Sequence, residues 1–224
     1  MTVPIICLVT DRHRLARPTD LELVRLAGRA AAAGVDLIHV RERDRNDKDV
    51  LDLTRRIVAA ARGTPAKVVV NDRIDIAIAG GAGGVHLRAD SASGDRVRAI
   101  SPAGFVVGRS VHTATEAISA ARTGVDFLVM GSVYPTASKP GSASIAGIAG
   151  LEAACRAVSI PVLAIGGITT DKLGDIAAAG AAGIAAIGLF SEAINENSHG
   201  NLDAALSMLV ATIRRAFTPP AGLA

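Results

Sequence analysis

At 224 residues, half of them hydrophobic, the chain can bury one large core, and its length suits a single α/β barrel. Lys and Arg number 24 against 21 acids, a net charge of +3. One Tyr, four Phe and no Trp leave no platform on which bases could stack, which argues against nucleic acid and fits a small phosphorylated ligand. Cys7 and Cys155 are isolated, so neither a disulfide framework nor a Cys-based metal site is expected. The first apolar run ends in charge without a basic leader or cleavage site, and no stretch has the length of a membrane span. The expectation is a cytoplasmic protein with no membrane partner.

In chain order, short β-branched runs alternate with Ala-rich helical stretches. Strands are expected at 3–10, 36–42, 67–71, 84–87, 104–108, 126–131, 161–167 and 183–188. Helical stretches between or after them include 20–33, 48–61, 114–122, 148–157 and 202–217. Near-continuous apolar strands suit a parallel sheet covered by helices. Gly34, Gly124 and Gly180 stand where helix C-cap glycines belong. The repeat predicts a single (β/α)8 TIM barrel over residues 1–217 with a loose tail at 218–224. A doubly wound open sheet is the alternative, because periodicity does not reveal closure.

In a barrel, chemistry gathers at the C-terminal ends of the strands. Those positions are polar and cationic here: His39, Arg41 and Arg43, then Asn71 and Asp72, then His86 and Arg88, then Arg109, Ser110 and His112. His39, Arg41 and Arg43 alternate, so they share one face and are costly to bury unless they meet an anion or internal carboxylates such as Asp72. Asp72 reads as an N-cap or arginine partner rather than a magnesium ligand. The irregular stretch 131–144 offers Thr136, Ser138 and Lys139 either as anion-wrapping donors or as a solvated loop. Gly166 and Gly167 after the seventh strand, with Ile187 and Gly188 after the eighth, lie where barrels bind phosphate through backbone N–H groups. A tight turn is the plainer reading of Gly166 and Gly167. Among the histidines, His112 and His39 are the candidates for the site. His86 reads as a core residue or one that supports the site from behind, and His13 and His199 sit in surface-like contexts.

"LVTDR", "HVRERD", "VVVNDRIDIAIAGGAGGVHL", "GRSVHT", "GSVYPTASKPG" and "IPVLAIGGIT" occur in order over almost the whole chain. Together they resemble the thiamine phosphate synthase/TenI superfamily of barrels. The synthase branch joins a pyrimidine pyrophosphate to a thiazole phosphate. It typically carries Gln-x-Arg-x-Lys on strand two, Asn-Asp on strand three and Gly-Gln-x-Asp after strand four, the two Asp residues holding Mg²⁺. This chain has His39-x-Arg41-x-Arg43 at the first pattern. It has "HLRADS" at the last, with Ser91 at the second Asp position and Asp90 one residue earlier.

The His-x-Arg-x-Arg and "GRSVH" patterns are similar to TenI proteins, thiazole tautomerases that aromatise a carboxythiazole phosphate by moving a proton. That resemblance implies a thiazole tautomerase with His112 as the proton shuttle. One of Arg41, Arg43 or Arg109 would hold the substrate carboxylate, and the glycine turns would hold its phosphate. It implies no metal or redox cofactor. Thiamine phosphate synthase, with Mg²⁺ at Asp72, and a non-catalytic binder of thiazole or thiamine phosphates are the alternatives. A homo-oligomer is compatible with the sequence.

Overall fold

The computed structural model describes residues 4–136, 145–197 and 201–218. Its strands close into a parallel barrel in sequence order, β1 lying between β2 and β8. They are β1 (Ile5–Val9), β2 (Leu37–Val40), β3 (Lys67–Asn71), β4 (Gly84–Leu87), β5 (Val106–Val111), β6 (Phe127–Met130), β7 (Val162–Ile165) and β8 (Gly183–Ala186). The helices are α1 (Asp20–Ala32), α2 (Asp47–Ala60), α3 (Ile74–Ala79), α4 (Gly94–Ile100), α5 (Ala114–Ala121), α6 (Gly147–Ala157), α7 (Leu173–Ala178), α8 (Gly188–Glu196) and α9 (Leu202–Ala216). The expected barrel is therefore the observed one, and the open-sheet alternative falls. No described helix is long and apolar enough to cross a membrane.

The two-residue period of each strand sorts its side chains into two cores. Ile5, Cys7, Val9, Leu37, Val69, Val106, Phe127, Val129, Leu163 and Ala185 fill the barrel interior. Their neighbours Ile6, Leu8, Ile38, Val68, Val70, Val107, Leu128 and Ile184 pack outward against the helices. Carrying the inward series upward from Leu37, Val69, Val106 and Leu163 leads to His39, Asn71, Gly108 and Ser110, and Ile165. The alternation that builds the core thus also decides which residues reach the mouth.

Side-chain caps fix the starts of α1, α2 and α5. Thr19 accepts from Glu22 N–H (3.3 Å), Asn46 from Asp49 N–H (2.9 Å) and Thr113 from Glu116 N–H (3.1 Å). Each such cap stabilises its helix by about 1 kcal/mol. At the helix ends, Gly34, Gly124 and Gly180 have φ of 100°, 71° and 84°, as C-cap glycines do. The fifth strand runs to Val111, three residues past its expected end, and that shift matters at the site.

Candidate active site

A cavity of about 370 Å³ opens at the C-terminal mouth of the barrel. Its floor is made by two histidines. His39 and His86 are 5% and 3% exposed, their rings 4.6 Å apart and tilted at 51°. Glycine at 108 makes room for them: a Cβ there would stand 2.6 Å from His86 Nδ1 and 2.2 Å from Phe127 Cζ. His86 Nε2 lies 2.9 Å from Ser110 Oγ, while His86 Nδ1 and His39 Nε2 are buried without a hydrogen-bond partner. Burial first, then His86 and Arg41, drive the His39 imidazole well below its ordinary ionisation. Burial, and then Arg41, bring His86 down to about 3. Both rings are neutral at physiological pH, so the floor is polar but uncharged.

The wall above β2 and β4 is cationic. Arg41, Arg43 and Arg88 all line the cavity, with Asn71 between them. Burial, and then the neighbouring Arg43, lower the Arg41 guanidinium's pKa, with Asp11 and Glu42 opposing the shift. The opposite wall is built by backbone. Gly166, Gly167, Ile187 and Gly188 line the cavity, Gly188 opening helix α8 so that its first N–H groups have no intrahelical acceptor. Gly167 cannot be another residue without rearrangement. Its φ is +62°, and a Cβ would stand 2.3 Å from the Pro135 carbonyl oxygen. The glycine pair therefore makes a turn and lines the cavity at once. Lys172, which sequence reasoning did not single out, lies beside this wall. Its Nζ donates to the Gly167 carbonyl (2.9 Å) and sits 4.6 Å from the Tyr134 ring centroid.

His112 lines the cavity at the end of β5. Thr113-x-x-Glu116 forms a capping arrangement in which the Glu116 carboxylate turns back to accept from His112 N–H (2.7 Å) and approaches His112 Nδ1 (3.2 Å). Glu116 thus orients the ring. Thr136 also lines the cavity, whereas Ser138 and Lys139 lie outside the described residues, as does His199.

Two expected residues stand elsewhere. Arg109, expected at the substrate carboxylate, points out of the barrel, because β5 continues through it and alternation turns it away from Gly108 and Ser110. Its guanidinium donates to the carbonyls of Ala89 (2.7 Å), Ser91 (3.1 Å) and Ala92 (2.8 Å), clamping the loop after β4. Asp72 is neither an N-cap nor, among the described residues, an arginine partner. Arg73 takes the position before α3, and Asp72, at φ 62°, accepts a hydrogen bond from the Ser91 hydroxyl. Arg88 lines the cavity as its strand-end position led one to expect, Arg14 and Lys172 line it without having been expected there, and His86 is a floor residue as well as a core one.

The same loop tests the magnesium site that the family resemblance implies. Asp72 does not line the cavity, and one of its oxygens is occupied by Ser91. Asp90 turns to the Arg88 guanidinium (2.5 Å). The described residues contain no group of three His, Cys, Asp or Glu side chains placed for a metal. The donor set does not fit an ion gripped by two carboxylates.

Comparison with known proteins bears on the sequence readings. The chain is 39% identical over 180 residues to thiamine-phosphate synthase of Methanoculleus marisnigri, covering 80% of this chain and 84% of that protein. It is 40% identical over 180 residues to thiamine-phosphate synthase of Methanoregula boonei, covering 80% and 82%. A thiamine phosphate pyrophosphorylase structure from Pyrococcus furiosus superposes with a TM-score of 0.80 at 28% identity, over 96% of this chain and 98% of that one. These relatives carry the synthase name, and they overturn the expectation of a thiazole tautomerase that the His-x-Arg-x-Arg and "GRSVH" patterns had raised. The thiamine monophosphate synthase (TMP-TENI) model matches residues 6–190, and the chain belongs to that family.

Proposed function

We propose that this barrel is a thiamine-phosphate-synthase-type transferase, joining a pyrimidine carried as its diphosphate to a thiazole phosphate. The observation that carries the reading is the two-ended cavity: arginines on the β2–β4 wall, glycine-rich backbone and a helix start on the β7–β8 wall, and a neutral floor between them. The names of the relatives point the same way.

The residues suit that chemistry. The carbon–oxygen bond to the diphosphate breaks with its electron pair leaving on oxygen, and the thiazole nitrogen lone pair forms the new carbon–nitrogen bond. Negative charge grows on the departing diphosphate, and guanidinium groups aimed at it from a partly dry wall stabilise that change more than they stabilise the bound substrate. The carbon that loses the diphosphate becomes electron-poor. A floor of uncharged imidazoles keeps positive charge away from it while still offering ring nitrogens to a heterocycle. Gly166, Gly167, Ile187 and Gly188 receive the thiazole phosphate, with Lys172 beside them.

No proton changes hands in this reaction. His112 therefore serves as a hydrogen-bonding wall residue oriented by Glu116, not as a shuttle. The test is to supply purified protein with both substrates and follow inorganic pyrophosphate release and thiamine phosphate formation. Stoichiometric formation of both products is expected, with His112→Ala within about tenfold of wild type, whereas loss of a general acid–base catalyst costs about 10²–10⁴-fold. Absence of product from the folded wild-type protein contradicts the reading.

A further inference from the structure

The loop after β4 is wired as a closed circuit. Arg88 N–H donates to Ser91 Oγ (2.9 Å), and the Ser91 hydroxyl donates its single proton to Asp72. Asp72 N–H is itself held by the His86 carbonyl (2.9 Å). A hydroxyl against a carboxylate forms a complete pair with no cation between them. Two carboxylates in the same place would repel, and a divalent ion is the usual remedy. Serine at 91 removes that need. The Arg109 clamp on the Ala89, Ser91 and Ala92 carbonyls fixes the loop in this form.

The loop instead delivers Arg88 to the cavity, on the same wall as Arg41 and Arg43. Its present partner, Asp90, is an exposed carboxylate, and the side chains of the pair are 48% and 69% exposed. Surface ion pairs of this kind are weak, so a multiply charged anion displaces Asp90 readily. A guanidinium fork matches phosphate oxygens in pairs, which makes arginine a fit substitute for a metal at a diphosphate.

We propose that Arg88, together with Arg41 and Arg43, forms a diphosphate subsite that binds its anion without a divalent ion, with Arg109 as the positioning residue of the loop. The proposal rests on the diphosphate substrate proposed above. Calorimetric titration of the full chain with inorganic pyrophosphate, once in EDTA and once in excess Mg²⁺, tests it. The expected dissociation constants agree within about threefold between the two conditions. Arg88→Ala weakens binding in EDTA by about tenfold or more, the scale of a lost charge-assisted hydrogen bond, and Arg88→Lys restores part of it. Arg62→Ala, beyond α2 at the other end of the barrel, binds as wild type. Arg109→Ala, checked for retained melting temperature, weakens binding by loosening the loop.

Binding that occurs only with Mg²⁺, or an Arg88→Ala protein that binds like wild type in EDTA, overturns the proposal. Turnover separates this subsite from the proposed reaction. A protein that binds pyrophosphate in EDTA yet forms no product keeps the subsite and loses the synthase reading. One that forms product but needs Mg²⁺ to hold pyrophosphate keeps the reading and loses the subsite.

Discussion

Across one cavity, the β2–β4 wall and the β7–β8 wall offer opposite means of meeting the two phosphorylated groups that the proposed reaction requires. The first uses side-chain charge: Arg41, Arg43 and Arg88 converge on it, and their neighbours Arg109, Ser91 and Asp72 are committed to fixing a loop. The second uses backbone: glycines at 166, 167 and 188 line it, and Tyr134 and Pro135 pack so closely that Gly167 has no room for a side chain. Charge reaches further than hydrogen bonding and tolerates small displacements, whereas a backbone nest depends on shape. One end is therefore sensitive to loss of charge and the other to gain of volume.

A crossed pair of variants is the sharpest way to break that comparison. Arg41→Ala is expected to lower kcat/KM for the diphosphate substrate by about 10²–10³, the scale of a removed charge-stabilising donor, and to leave thiazole phosphate binding close to wild type. Gly167→Ala is expected to do the reverse. It forces an L-residue into a left-handed conformation against the Pro135 carbonyl, at a cost on the order of 1–3 kcal/mol in urea unfolding, and raises KM for thiazole phosphate selectively. If either variant disturbs both substrates equally, the two ends are not separate sites.

A smaller effect sharpens the picture of the floor. His39 and His86 are neutral in the folded barrel, with ionisation depressed by burial, and regain an ordinary value near 6.5 on unfolding. Below about pH 6.5 the unfolded chain thus binds more protons than the native one, so stability falls as pH drops, and for His86 the loss continues to about 3. Each histidine contributes a slope of up to about 1.4 kcal/mol per pH unit. His39→Gln removes one such contribution, and unfolding free energies between pH 6.5 and 5 should fall less steeply in that variant. An unchanged slope would mean that the floor already carries charge.

Much of this was legible in the sequence because alternation and glycine placement are local signals. The strands, the C-cap glycines at 34, 124 and 180, and the inward series His39, Arg41, Arg43 all follow from period and sterics. Arg109 was misplaced because "GFVVGRSV" shows no break at Gly108. The strand runs on, and reading its end three residues early put Arg109 on the rim instead of on the outer face. Gly108 itself is a packing glycine under His86, which only the fold reveals. Lys172 escaped notice because it reaches the cavity from a turn beyond the strand end. The choice of reaction went astray for another reason. His39-x-Arg41-x-Arg43 and His112 describe an anion-binding mouth that serves either chemistry, and similarity over most of the chain outweighs those few positions.

The central claim is that the cavity holds two phosphorylated groups at once. The most direct measurement is the dissociation constant of thiazole phosphate, taken with and without saturating inorganic pyrophosphate. The account predicts a ternary complex, with thiazole phosphate bound at similar or higher affinity when pyrophosphate fills the arginine wall. Mutually exclusive binding would contradict it, because a reaction that joins two substrates needs both in the cavity together.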